Sequence, residues 1–214
     1  MSYKPNKRRY DASGRRAAAA RRRLAVVAAA RDAFERKGWA GVTVREIAEA
    51  AGVSQKTIEA VFGTKAALLK AAVDYAIRGD VEALPVSRRE SVHRMERAGD
   101  AVEMLRLHAR HLRVINARSA RIAAVVEQAL GADPAVGELW SQMNENRAFG
   151  VRWATETLLQ KRGRRPRLRR DYVESIMWVA LDWGTYRTLT EQAGLDDNAY
   201  ERWLRRYYAS TLLP

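Results

Sequence analysis

An all-α fold is predicted for these 214 residues by three features of the chain. Alanine, leucine and arginine are abundant, β-branched alternation is absent, and no Asn-Gly or Asp-Gly hairpin turn occurs. Apolar residues instead recur at helical spacing, with Ser, Thr, Asp and Gly standing where helices start and stop. A chain of this length suits one or two small domains and can bury a real core.

The first helix is expected from about Ala18 to Lys37, with Leu24, Val27, Ala28 and Phe34 in one stripe and Gly38 as its stop. Thr43 with Glu46 three residues on is a capping box; the second helix buries Val44, Ile47, Ala48 and Ala51 and ends at Gly52. Ser54 caps a short third helix carrying Ile58, Val61 and Phe62, closed by Gly63. Thr64 caps a fourth, Lys65 to about Arg78, with Leu68, Leu69, Ala72, Val73 and Ala76 inward. Residues 79–87, GDVEALPVS, read as a linker. Beyond it, Ser87 with Glu90 and Asp100 with Glu103 are two more capping boxes. The second opens a helix from about Ala101 to Ala117, and another follows from about Ala120 to Leu130. Asp133 and Pro134 start a long helix to about Lys161. After the KRGRRPRLRR loop, which reads as solvated, come a helix from about Arg169 to Trp183 interrupted near Gly184, a short piece at 185–193, and a last helix from about Asp197 to Leu213.

Lys and Arg number 39 against 25 Asp and Glu, a net charge of +14 with a pI near 10.6, so a polyanionic partner is expected. The excess is uneven: residues 1–23 hold nine cations against Asp11 alone. Residues 1–17 therefore read as a disordered basic arm, either a solubilising tail or, with Arg21 and Arg22, a set of phosphate and minor-groove contacts. No cysteine is present, which excludes disulfides and thiolate metal sites. No apolar run approaches the roughly 18 residues of a membrane span. The segment LAVVAAARDAF meets Arg31 and Asp32 too soon for a signal peptide, although an Arg-rich, acid-poor start also resembles a transit peptide. A cytoplasmic protein without a membrane partner is the expectation.

Residues 49–65, EAAGVSQKTIEAVFGTK, have the parts of a helix-turn-helix. Ala48 lets the two helices approach, and Gly52 supplies a turn residue tolerant of φ > 0. Ile58 and Phe62 give the second helix a buried side, while Gln55, Lys56 and Thr57 put hydrogen-bonding groups on its exposed first turn. A plain αα-hairpin would share Ala-x-x-x-Gly; the hydroxyl and lysine positions favour the helix-turn-helix.

The longer run TVREIAEAAGVSQKTIEAVFGTKAALL, residues 43–69, closely resembles the DNA-binding segment of the TetR family of bacterial transcriptional regulators. The shared elements are a Thr opening the second helix, the IA…AGVS turn, a Thr in the recognition helix, a Phe closing it, and TKAALL starting helix four. With the first helix the resemblance covers residues 18–76; the rest resembles the family in architecture only. It implies a three-helix DNA-binding domain at 18–78, helix four included as the link, and a larger helical ligand-binding and dimerisation bundle at 79–214. Thr43, Thr57 and Lys65 match positions that contact phosphates, and Ser54 stands in the same turn. Arg45 and Gln55 match positions that reach base edges, where Arg suits guanine O6/N7 and Gln adenine N6/N7. Lys56 serves bases or backbone. One departure is TIEA where the family has TLY and a bulky residue. Glu59 then repels phosphate, turns to Arg45 or Lys56, accepts from cytosine N4, or faces solvent.

Five of the six tryptophans fall after residue 139. They are core or interface first, but Met104, His108, Trp140, Met143, Asn144, Trp153 and Met177 also have the types that line a small-molecule pocket. His108 and His111 lack a further ligand for a metal, so neither metal nor cofactor is expected. The last two long helices read as a dimer interface: Ile176, Ala180 and Leu181 with Val173 and Met177 on one, Trp203, Leu204 and Tyr207 with Tyr200 and Tyr208 on the other.

Three His, no Cys and no spaced carboxylate motif leave no catalytic set, so an enzyme is not expected. The expected function is a ligand-responsive transcriptional regulator, a repressor in sense. Its expected partners are a double-stranded, pseudo-palindromic operator bound as a homodimer and a small-molecule effector; the resemblance places it in the bacterial cytoplasm, on the nucleoid when DNA-bound. The alternative is a constitutive or architectural DNA-binding protein without an effector, which would lack a cavity.

Overall fold

A computed structural model of the chain describes residues 12–79 and 86–214; among these there are ten α-helices and no strand. Four make the N-terminal unit: α1 (Ala12–Lys37), α2 (Val44–Ala50), α3 (Gln55–Phe62) and α4 (Lys65–Arg78). Six follow: α5 (Glu90–Glu96), α6 (Ala101–Gln128), α7 (Pro134–Leu159), α8 (Arg170–Ala180), α9 (Trp183–Arg187, continued by a π-turn at Thr188–Gln192) and α10 (Asp197–Leu212). No described helix is long and apolar enough to cross a membrane.

Phe34, Ile47, Leu68 and Leu69 are fully buried where α1, α2 and α4 meet, and Ile58 anchors α3 on them. This core does not close at the end of α4. Ile122 and Val126 of α6 and Val136 of α7 complete it, so the 79–87 segment divides the chain but not the packing. A second core, around Met95, Met104, Leu158, Met177, Leu204 and Tyr208, holds α5 and the first half of α6 against α7, α8 and α10.

The capping chemistry explains most boundaries. Thr43 Oγ accepts from the Glu46 N–H while Glu46 reaches back to the Thr43 N–H, the reciprocal box expected there. Ser54, Thr64, Asp100, Asp133 and Asp196 cap α3, α4, α6, α7 and α10. The box at Asp100 is half made, because Glu103 turns to the Gly99 N–H instead.

Several expectations are corrected. The helix expected from Ala18 starts at Ala12: the alanines and arginines of 15–23 are good helix formers with no proline to stop them, so residues 12–17 are not an irregular arm. Residues 1–11 lie outside the described residues. The two helices expected at 101–117 and 120–130 are one, since nothing between Asn116 and Ala120 breaks a helix and Ser119 Oγ bonds the Ile115 carbonyl within it. Arg89, not Ser87, is the N-cap of α5. The break expected near Gly184 falls at Leu181–Asp182, where Asp182 accepts from the Thr185 N–H to start α9. On α3, Ile58 is buried as expected, and Val61 is 49% exposed.

The basic loop after α7 is not merely solvated. Arg164 Nε donates to the Leu159 carbonyl at the end of α7, and Arg165 donates to the Ser210 and Leu213 carbonyls at the end of α10. Cations at two helix C-termini satisfy orphan carbonyls and the negative end of each dipole.

Candidate nucleic-acid interface and ligand cavity

Gly52, at φ 66°, makes the turn between α2 and α3, a conformation that a Cβ would strain. The turn leaves Ser54, Gln55, Lys56 and Thr57 exposed on the first turn of α3 and Arg45 exposed on the first turn of α2. All of these but Lys56 are held by a close neighbour in sequence. Gln55 Nε2 donates to Glu59 Oε1 at 2.8 Å, so Glu59 turns to Gln55 rather than to Arg45 or Lys56. Ser54 Oγ and Thr57 Oγ1 are 2.8 Å apart. Arg45 Nε lies 3.9 Å from Glu49, a loose exposed pair that costs little to break.

Thr43 and Lys65 are more committed. Glu46 takes the Thr43 N–H and hydroxyl and pairs with Lys37 at 2.7 Å; the Lys37 and Thr43 bonds hold its carboxyl down to about 2. Lys65 Nζ donates to the Trp39 carbonyl at 2.5 Å and lies 4.4 Å from the centre of the Trp39 ring. Burial there lowers its pKa, against the pull of Glu46. A phosphate would meet a half-buried, aimed ammonium with two protons still unassigned. Arg21 and Arg22 are exposed on α1, and next to them the Arg23 guanidinium lies 4.5 Å over the Phe62 ring. That stacking sets the basic start of α1 beside the end of α3.

The larger feature of the second domain is a cavity of about 390 Å³ between α4, α6 and α7. Of the residues expected to line a pocket, His108, Met143 and Trp153 do so. Trp140 and Asn144 line an adjoining cleft of about 280 Å³ instead. Met104 and Met177 are corrected: both are fully buried in the second core and line neither space, because a methionine on an inward helix stripe fills gaps before it faces a ligand. Leu181, expected at the dimer face, lines the cavity.

Sequence reasoning missed Asp74, Arg78, His111, Arg147 and Trp183 on these walls. A signal existed for one: Met143, Arg147 and Gly150 follow at helical spacing on one face of α7, with Gly150 leaving room that a Cβ would take from Leu181. The others depend on which helices meet. His108 is 2% exposed with Nδ1 2.7 Å from the Tyr208 hydroxyl, and burial pushes its pKa from 6.5 to about 3. His111 is pushed to about 4 by burial and by the nearby Arg118 and Arg89. Both are neutral at pH 7.

The dimer-face expectation also needs correction. Ile176, Ala180 and Leu204 are buried inside the protomer and cannot face a partner, since α8 and α10 spend those stripes on their own core. Exposed apolar surface lies on the other side of α8, at Tyr172, Trp178 and Val179. On α10, Trp203 and Tyr207 are partly exposed and stack with centroids 5.3 Å apart.

Fold and site together define an all-α chain whose helix-turn-helix unit shares a core with a second, cavity-bearing set of helices. Residues 26–72, the helix-turn-helix with parts of the helices on either side, match the family model of bacterial regulatory proteins of the tetR family. Solved structures agree in fold. The chain is similar to a TetR-family regulator of Mesorhizobium loti at 17% identity and TM-score 0.66, covering 91% of this chain and 98% of that one. It is similar to NalD, the secondary repressor of the MexAB-OprM multidrug efflux pump of Pseudomonas aeruginosa, at 17% identity and TM-score 0.68, covering 90% and 98%. It is also similar to a transcriptional regulator of Saccharomonospora viridis solved with choline, at 16% identity and TM-score 0.66, covering 90% and 97%. No curated protein matches the chain.

Proposed function

We propose that this chain is a cytoplasmic, ligand-responsive repressor that binds a pseudo-palindromic operator as a homodimer. The observation that carries the reading is the position of the cavity: Asp74, Ile77 and Arg78, the last turn of α4, form part of its wall. The first turn of the same helix carries Lys65, beside the helix-turn-helix. Arg118 of α6 donates to the Ile77 carbonyl and Arg89 to the Arg78 carbonyl, so the end of α4 is tied to the effector domain by two guanidinium groups. A ligand that reshapes the cavity bears on those bonds and tilts α4 with the DNA-binding unit on it. Two recognition helices must sit about 34–36 Å apart to enter successive major grooves, and a tilt of α4 changes that spacing. Moving the equilibrium from 99:1 to 1:99 takes about 10⁴-fold differential affinity for the two conformers.

Arg45 and Gln55 read base edges; Thr43, Ser54, Lys56, Thr57 and Lys65, with Arg21 and Arg22, contact backbone. The dimer forms through the exposed aromatic side of α8 and the Trp203–Tyr207 stack of α10, a self-complementary face under two-fold symmetry. The neighbour solved with choline supports an effector in a fold of this kind, and NalD supports repression. The constitutive alternative has the cavity against it.

Footprinting on genomic fragments, starting with DNA flanking the chain's own gene and repeated across a salt series, tests the reading. An inverted-repeat footprint is expected. Diffuse binding lost steeply with salt would mean that the basic charge dominates and sequence is not read.

A further inference from the structure

We propose that the cavity between α4, α6 and α7 takes a flat aromatic monoanion, with the Arg147 guanidinium as its charge partner. The inference deepens the effector reading above and rests on it. Trp153, Trp183 and Phe149 supply flat apolar walls. Polar groups on the wall are left unused by the protein. His108 Nδ1 is engaged by Tyr208, but among the described residues Nε2 makes no hydrogen bond and His111 makes none.

The charge of the ligand follows from what surrounds it. Asp74 is the one acidic residue on this wall among the described residues, and Lys70 and Arg78 already hold it at 3.1 and 3.6 Å. Arg147 is less completely paired. Nη1 reaches Asp182 at 3.2 Å, but the other Asp182 oxygen caps α9 through the Thr185 N–H and hydroxyl. Among the described residues Nε has no hydrogen-bond partner and Nη2 makes no hydrogen bond, and the guanidinium lies 4.7 Å from the Trp178 ring and 5.8 Å from the Trp183 ring. A planar guanidinium braced by aromatic rings, with a free edge, suits a carboxylate or sulfonate better than any other single group here. The two histidines act as built-in cation probes: burial keeps both unprotonated, with the Arg118 and Arg89 charges adding to it at His111. An ammonium ligand in the same space meets the same desolvation and the same repulsion, whereas an anion meets attraction.

The test uses two dyes on one skeleton, anionic 1-anilinonaphthalene-8-sulfonate and uncharged N-phenyl-1-naphthylamine, titrated into the full chain in about 0.5 M salt to screen exposed surface cations. Each is expected to bind once per chain and to displace the other. Arg147→Met should weaken the anion about tenfold or more and leave the neutral dye within about twofold, with Arg147→Lys between; such a loss matches removal of one half-buried charge partner. Retained neutral-dye binding shows that the variant is folded. Equal effects on both dyes, or binding of the neutral dye alone, overturn the anion assignment and leave the effector site standing. Binding of neither dye overturns the effector reading and this proposal with it.

Discussion

The DNA-facing end and the cavity end of this molecule satisfy their polar groups in opposite ways. Around the helix-turn-helix most partners are three or four residues apart: Thr43 with Glu46, Ser54 with Thr57, Gln55 with Glu59, whereas Lys65 reaches the Trp39 carbonyl from farther along the chain. Around the cavity, apart from Asp74 with its neighbours Lys70 and Arg78, they come from across the chain: Arg147 with Asp182, His108 with Tyr208, Asn116 with Tyr200. Local pairs are exposed and cheap to exchange for phosphate or base contacts, which suits a surface that must bind and release. Distant pairs are buried or part-buried and more costly to break, so they hold the shape of a cavity. The first kind of site is portable as a motif; the second exists only once the helices have met.

Four experiments break or sharpen this contrast. The largest effect is expected from Ile122→Ala, a residue of α6 that belongs to the N-terminal core. Its loss should cost about 2–5 kcal/mol and lower a single thermal transition. A separate, unshifted melt of the DNA-binding unit would show that the two regions do not share a core after all.

Arg45→Ala should cost roughly 1–3 kcal/mol of discrimination at one operator base pair while leaving Tm nearly unchanged, because its only partner among the described residues is the loose Glu49 contact. Competition binding against single-base operator variants reads this directly. An equal loss on all sequences would make Arg45 a backbone contact.

The third concerns acid. The folded chain holds His108 neutral down to about 3, while the unfolded chain takes up that proton below the usual 6.5. The stabilising contribution is thus whole above pH 6.5 and lost as pH falls toward 3. Between pH 7 and 5 the loss is about 2 kcal/mol for one such group, and His108→Gln should flatten the stability–pH curve by that amount. Denaturant melts at the two pH values check it; a parallel curve for the variant would mean that His108 is protonated without penalty.

The smallest effect is expected from Glu59→Gln. It removes a carboxylate near the phosphates and changes the partner of Gln55, so operator affinity should rise about two- to fivefold, with exposed-charge screening keeping the change small. Gel-shift titration at two salt concentrations measures it, and a fall in affinity would place Glu59 among the base-reading groups.

Legibility follows the same divide. The capping residues Thr43, Ser54, Thr64 and Asp133 could be read in the chain because a cap and its target lie within three residues. Gly52 could be read because a single backbone conformation demands it. Met104, Met177, Ile176 and Leu204 were misassigned for one reason: an apolar residue on a helix stripe announces burial but not what buries it. Arg164 and Arg165 looked solvated because the carbonyl groups they cap belong to the ends of α7 and α10, the latter more than 40 residues away.

By itself, then, the sequence determined the helices, their caps, the turn at Gly52 and the exposed first turn of α3, all set by interactions within a turn or two of chain. Only the tertiary structure decided that α6 completes the N-terminal core, that α4 ends against a cavity, and that Arg147 stands on its wall with an unpaired edge. Those features need helices far apart in the chain to meet, and packing between elements is a property of surfaces that no local spacing encodes.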